Sequence, residues 1–340
     1  MNSFKEYLLQ AASGTPLSQS AMAQAMNQLL TGDVSDTEAA AFLAALKVRG
    51  ETIDEIVAAA ETMRAHAVPV ECPRDVVDTC GTGGDGANTF NISTAAAIIA
   101  AGAGVKIAKH GNKAASSKSG SSDVLSELGI NLKANPNVIS ECIEDAGIGF
   151  LFAAYHHKAV ANVASVRKKL GTRTLFNLLG PLTNPAGAKR HLMGVFAPTL
   201  MEPMAGALLK MGATKAWVVH GADGLDEISI SGETHVSEVN DDSIRTFTIT
   251  PEDAGLKRHP INEIRGGDPV ENAAALNNIL SGEKNAYREI AVLNAAAAIL
   301  IADKAENLQD AARKAETSID SGRARLALEN LIKISNQSAI

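Results

Sequence analysis

Apolar positions in the first 66 residues recur at helical spacing, and Ala39, Phe42, Leu43 and Leu46 share one face. Two stretches, SDTE (Ser35 to Glu38) and TIDE (Thr52 to Glu55), place Glu three residues after a hydroxyl. That pattern caps a helix start from both sides, and Gly50 between them supplies a stop. A small all-helical region is predicted, which either packs against a partner copy or forms a lid. From Asp75 the pattern changes. DVVDT predicts a short strand ending in a glycine-rich turn, and STAAAIIAAGAG a helix starting near Ser93. VKIAKHG reads as a second strand, SDVLSELG and PNVISECIEDAG as helices, and IGFLFA as a third strand. HLMGVFA, KAWVVHG and SIRTFTIT read as further strands, with the helix LMEPMAGALLKMG between the first two. The C-terminal third, Asn272 to Ile334, is mostly helical. Alternation of strand and helix predicts an α/β domain with a largely parallel sheet. Pro69 to Pro73 is the best-marked boundary, and no internal repeat is found.

Composition narrows the picture. Hydrophobic residues make up 46% and aromatics only 4% of 340 residues, so the core is aliphatic and helix-rich. A net charge of −7 argues against broad nucleic-acid binding, although a local basic groove stays possible. Cys72, Cys80 and Cys142 show neither a disulfide framework nor zinc-type spacing, and a reducing compartment fits them. The N-terminus lacks a basic start followed by an apolar run. The most apolar stretch, Ala291 to Ala302, is too short and alanine-rich to span a membrane.

Candidate chemistry sits in loops. GTGGD, Gly81 to Asp85, follows a strand, where backbone N–H groups converge on an anion or simply make a tight left-handed turn. It is neither a Walker A loop nor a dinucleotide fingerprint. Ser93 and Thr94 of NIST are either an ordinary N-cap or hydroxyls holding a phosphate or its metal. KHGNKAASSKSGSS adds Lys109, Lys113 and Lys118 and several serines, which reads as a solvated loop or an anion site. Its place between a strand and a helix favours the anion. Asp226 and Glu227 follow the strand KAWVVHG, where a carboxylate pair suits Mg²⁺ as well as a surface turn. RKKLGTRTLFNLLGPLTNP combines a basic helix end with a proline-bracketed loop. In it Arg167 is a fork for a carboxylate or a surface ion pair. His156 and His157 lie just upstream, either packed or solvated.

GTGGD, NIST, KHGNKAASSKSGSSDVLSELG, GTRTLFNLLGPLTNP and GLDE, in that order from Asp78 to Glu227, resemble the anthranilate phosphoribosyltransferases. The resemblance implies the nucleoside-phosphorylase-type phosphoribosyltransferase fold. A small helical domain (1–70, joined by helices around 158–180) would be hinged to a large α/β catalytic domain (71–340) with a mostly parallel central sheet. It implies transfer of phosphoribosyl from 5-phosphoribosyl 1-diphosphate to anthranilate in tryptophan biosynthesis, with Mg²⁺, in a cytoplasmic homodimer with no nucleic-acid or membrane partner. By the same resemblance Gly81, Gly84, Asp85, Thr89, Asn91, Ile92, Ser93 and Thr94 line the diphosphate sugar. Lys109, His110, Gly111, Asn112, Lys113, Ala114, Ala115, Ser116, Ser117 and Ser121 continue that lining. Gly81, His110, Asn112, His157 and Arg167 contact anthranilate; Ser93, Asp226 and Glu227 hold Mg²⁺; and Lys109, Asp226 and Glu227 carry catalysis. The chain departs from the common family pattern at Lys113 (Arg), Lys158 and Ser165 (Pro) and Ser122 (Ala).

Two other readings stand beside this one. A pyrimidine nucleoside phosphorylase of the same fold is opposed by KHGN and NLLGPLTNP. A non-catalytic nucleic-acid-binding relative is opposed by acidic composition and the intact Asp226–Glu227 pair. Type I phosphoribosyltransferases are disfavoured, because no aliphatic run ends in their two acids.

Overall fold

The structure, a computed structural model, describes residues 3–113 and 118–337. Helices α1 (Phe4–Ala12), α2 (Gln19–Thr31), α3 (Asp36–Arg49) and α4 (Ile53–Ala65) form the N-terminal unit. The α4 cap is a full box: Glu55 N donates to Thr52 Oγ1 at 3.3 Å and Thr52 N to Glu55 Oε2 at 2.9 Å. Glu55 also accepts Leu17 N at 2.8 Å and pairs with Arg49 at 2.5 Å, so one capping residue staples three segments. The α3 cap is half a box, since Glu38 turns to the Ser35 hydroxyl. The predicted face of α3, Ala39, Phe42, Leu43 and Leu46, is buried.

The remaining elements run β1 (Val77–Gly81), α5 (Ile92–Gly102), β2 (Ile107–Gly111), α6 (Ser121–Glu127), α7 (Pro136–Glu141) and β3 (Ile148–Phe152). They continue through α8 (Ala153–His156), α9 (Ala161–Leu170), α10 (Leu175–Leu182), β4 (Arg190–Gly194), α11 (Met201–Lys210) and β5 (Lys215–Gly221). β6 (Thr234–Asn240), β7 (Ser243–Ile249), α12 (Pro269–Leu280), α13 (Ala286–Ile301), α14 (Leu308–Asp320) and α15 (Arg323–Ser335) complete the chain. Among the described residues, seven strands form one sheet in the order β3-β2-β1-β4-β5-β6-β7. The first five pair in parallel and the last two antiparallel.

Apolar burial splits into two clusters. One joins β1–β3 to α5 and the C-terminal helices. The other joins α1–α4 to α9, α10, α11 and residues Met193, Val195, Ala216 and Val218 of the sheet region. The N-terminal helices thus share a core with one side of the sheet. At their contact with α11, a Cβ on Gly206 would meet Ile53 Cδ1 at 2.7 Å.

Three local expectations are corrected. LFNLLGPL is not a loop but helix α10, with Pro181 in its last turn. There the ring's missing N–H costs a single helical bond, and the Asn177 side chain accepts Thr174 N at 3.0 Å to start the helix. Helix α5 is capped at Asn91, so Ser93 and Thr94 lie in its first turn rather than at the cap. Strand β6 was not anticipated, because His235, Ser237 and Glu238 break its apolar alternation. Its burial is reconciled by Trp217 Nε1 donating to Glu238 Oε1 at 2.8 Å.

Candidate active site

Chain order around β1 reverses: β2 and β3 lie on one side and β4 on the other. Such a switch point leaves a crevice beyond the carboxyl ends of parallel strands. The loops after β1, β2 and β5 all reach it, lining a cavity of about 310 Å³. Gly81, Gly84, Asp85, Thr89, Asn91, Ile92, Ser93 and Thr94 line it, together with Lys109, His110, Gly111, Asn112, Lys113, Ser121, Arg167, Asp226 and Glu227. Ala114, Ala115, Ser116 and Ser117 lie outside the described residues. His157 is not part of the lining; it packs behind His110, ring centroids 5.2 Å apart.

The carboxylates are held by backbone. Asp226 Oδ2 accepts Gly83 N at 2.7 Å, and Glu227 Oε1 accepts Ser93 N at 3.1 Å. The second bond places Glu227 at the N-terminus of α5, where the helix dipole favours negative charge. Gly83 and Gly84 take φ of +67° and +79°, conformations that turn the loop over Asp226 and that side chains disfavour. Lys109 is 2% exposed, and its ammonium donates to Thr79 O at 2.5 Å and Ser93 Oγ at 3.2 Å. Burial pushes both carboxyls above their ordinary range, with Asp85 adding repulsion at Asp226 and Asp226 adding it at Glu227. Burial lowers Lys109, against the pull of Asp78.

Among the described residues no three acidic, histidine or cysteine side chains form a ready metal cluster. Mg²⁺ asks less, taking one or two carboxylates and completing its shell with water and substrate phosphates. Asp226, Glu227 and the adjacent Ser93 hydroxyl fit that demand.

At the other end, Arg167 lies over the Phe176 ring at 5.2 Å and makes no ion pair among the described residues. Burial lowers its guanidinium pKa. It is a cation inside the cleft lacking a carboxylate. His110 Nδ1 bonds Gly180 O at 3.0 Å, and burial drives the ring down to about 3.

Several lining residues escaped the sequence reading, among them Asn88, Phe176, Asn177 and Pro181. Arg173 also escaped it: its guanidinium stacks 3.6 Å from the Phe196 centroid and donates to Gly84 O. A second cavity of about 430 Å³ opens beside it and shares Asn177 with the cleft. Asn272 supports the loops from behind, its Nδ2 donating to Asn91 Oδ1 at 2.9 Å while Asn91 Nδ2 reaches Ser119 O at 3.3 Å. The residue types were visible, but nothing local separated them from ordinary loop and helix positions.

A helical bundle beside a mostly parallel sheet, with a glycine-rich and a lysine-bearing loop at the switch point, is the architecture of a glycosyl transferase family. The family model "Glycosyl transferase family, a/b domain" matches residues 73–325, and "Glycosyl transferase family, helical bundle domain" matches 5–67. Anthranilate phosphoribosyltransferase of Rhizobium rhizogenes is 52% identical over 336 residues, covering 99% of each chain. The crystal structure of that enzyme from Thermus thermophilus matches with TM-score 0.93 and 44% identity, covering 97% of this chain and 99% of that one. The Saccharomyces cerevisiae enzyme in complex with PRPP and Mg matches with TM-score 0.90 and 33% identity, covering 98% and 97%. The chain belongs to the anthranilate phosphoribosyltransferase family.

Proposed function

We propose that this chain transfers the phosphoribosyl group of 5-phosphoribosyl 1-diphosphate to the amine of anthranilate. The products are N-(5-phosphoribosyl)anthranilate and diphosphate, a step of tryptophan biosynthesis. The observation that carries the reading is the meeting of Asp226 and Glu227 with the N–H groups of Gly83 and Ser93, each in a phosphate-type loop. Full-length likeness to the family supplies the acceptor.

In the reaction the anomeric C–O bond to diphosphate breaks, a C–N bond to the aromatic amine forms, and the amine loses a proton. The sugar passes through an oxocarbenium-like state, so the departing oxygens gain charge. Gly81, Gly84 and Asp85, with Thr89 and the Asn91–Thr94 turn, frame the diphosphate sugar, aided by Lys109, His110, Gly111, Asn112, Lys113 and Ser121 of the same cavity. Ser93, Asp226 and Glu227 would hold Mg²⁺, which when bound neutralises diphosphate charge. Lys109 contributes its positive charge from beneath the Ser93 hydroxyl. Arg167 pairs with the anthranilate carboxylate, and Asn112 and His110 shape the pocket around the ring, with His157 supporting His110 from outside the lining. Anthranilate attacks as a free amine of low basicity, so no strong general base is needed and positioning supplies much of the rate.

The same reading divides the chain into 1–70 with the helices around 158–180, and 71–340, and makes it a cytoplasmic homodimer. No helix among the described residues is long and apolar enough to cross a membrane. Diphosphate release from 5-phosphoribosyl 1-diphosphate tests the reading: release only when anthranilate is added supports it, and release indifferent to anthranilate opposes it.

A further inference from the structure

Asn294 is the lone polar residue in the most apolar stretch of the chain, Ala291 to Ala302, and is fully buried in α13. An amide is a poor choice for a helix interior and for a core unless its hydrogen bonds are met. Here they are. Its Nδ2 donates to Ile228 O at 3.0 Å and to Ile290 O at 2.9 Å, and its Oδ1 accepts Ile228 N at 3.0 Å. Both peptide groups of one residue are thus gripped by one side chain across 66 positions.

The place of the grip is what matters. Ile228 directly follows Glu227, and the rest of its loop is fixed from the strand side. Asp223 Oδ2 accepts the hydroxyls of Ser229 and Ser231, each at 2.5 Å. Ser229 N donates to Thr234 Oγ1 at 2.9 Å. Turning the Ile228 peptide would swing Glu227 away from Ser93 N and, one residue back, Asp226 away from Gly83 N.

We propose that Asn294 is a positioning residue for the divalent cation: by fixing the Ile228 peptide it sets the direction in which Glu227 and Asp226 leave the loop. The proposal rests on the reading that these carboxylates hold Mg²⁺. Groups that orient metal ligands typically change affinity about 10–100-fold when removed.

The test is Mn²⁺ binding to the full chain, followed by the electron paramagnetic resonance of free Mn²⁺, with 5-phosphoribosyl 1-diphosphate present and anthranilate absent. Asn294→Ala is expected to bind Mn²⁺ at least about tenfold more weakly than the native protein. Asn294→Ser, which keeps one hydroxyl for Ile228, is expected to fall between them and serves if the alanine variant does not fold. Ile301→Ala, two turns along the same helix, reports the effect of lost core packing alone and is expected to keep native affinity. Native Mn²⁺ affinity in a folded Asn294 variant of lowered melting temperature would overturn the proposal, as would equal weakening in Ile301→Ala. Absence of Mn²⁺ binding by the native protein would overturn the metal reading itself, and the proposal with it.

Discussion

Oδ2 of Asp226 accepts the backbone N–H of Gly83 at 2.7 Å, joining positions 143 residues apart. The contact brings the Asp226 carboxylate so close to the end of β1 that a Cβ on Gly81 would stand 2.5 Å from Oδ2. Gly81→Ala leaves the φ of that strand residue acceptable and instead pushes the carboxylate aside. The Mg²⁺ concentration for half-maximal activity is expected to rise about tenfold or more, with the fold retained. An unchanged requirement, read from a Mg²⁺ titration of the rate, contradicts the account.

Arg167 is a half-buried guanidinium beside Phe176 without an ion-pair partner among the described residues. A hydrogen-bonded charge pair with a substrate carboxylate contributes about 1.5–3 kcal/mol. Arg167→Ala is therefore expected to raise the KM for anthranilate about 10–100-fold. The KM for the diphosphate sugar should change far less. Arg167→Lys restores charge but not the planar fork, so partial recovery is expected. Equal effects on both KM values would remove Arg167 from the anthranilate pocket.

Arg173 clamps the glycine-rich loop through Gly84 O while its guanidinium rests on Phe196. Its substitution by Ala frees that loop without opening the core. The expected result is a rise in KM for the diphosphate sugar of about 5–30-fold, from a net loss near 1–2 kcal/mol. The melting temperature should stay within about 3 °C. Steady-state kinetics with each substrate varied in turn separates this from an effect on anthranilate.

Burial, then His157, pushes His110 down to about 3, and burial, then His156, pushes His157 down to about 4. His191, also buried, falls to about 3. In the folded protein these rings stay neutral near pH 7, whereas in the unfolded chain they take up protons below about 6.5. The unfolded state then binds more protons. Stability is complete above about pH 6.5 and is lost as pH falls towards 4 and 3, by at most about 1.4 kcal/mol per pH unit for each ring. Urea unfolding between about pH 7 and 4.5 should show a shallower decline for His110→Asn than for the native chain. Identical slopes would mean that His110 is not held neutral.

The motifs at strand ends were legible because their chemistry is local. Glycines of positive φ, a hydroxyl turn at a helix start and adjacent acids each announce themselves over a few residues. Lys109 was legible as a cation near phosphate, but not as a buried one bonded to Thr79 O. What stayed hidden is the support. Asn272 and Asn294 reach the site from C-terminal helices, and their partners Asn91 and Ile228 lie 181 and 66 positions away, so no periodicity exposes them. Pro181 disguised a helix as a loop, and polar residues in β6 disguised a strand. Arg173 stayed hidden as well, because its partners, a backbone carbonyl and an aromatic face, are defined only by tertiary packing.

The central claim is phosphoribosyl transfer to anthranilate at Asp226 and Glu227. Its most direct test follows anthranilate fluorescence with purified protein, 5-phosphoribosyl 1-diphosphate and Mg²⁺, alongside an EDTA control and the folded Asp226→Asn, Glu227→Gln double variant. The account predicts loss of fluorescence that needs both the sugar and Mg²⁺ and vanishes in the double variant. Persistence of fluorescence with the folded native protein would contradict the activity, and near-native turnover by the double variant at saturating Mg²⁺ would contradict the site.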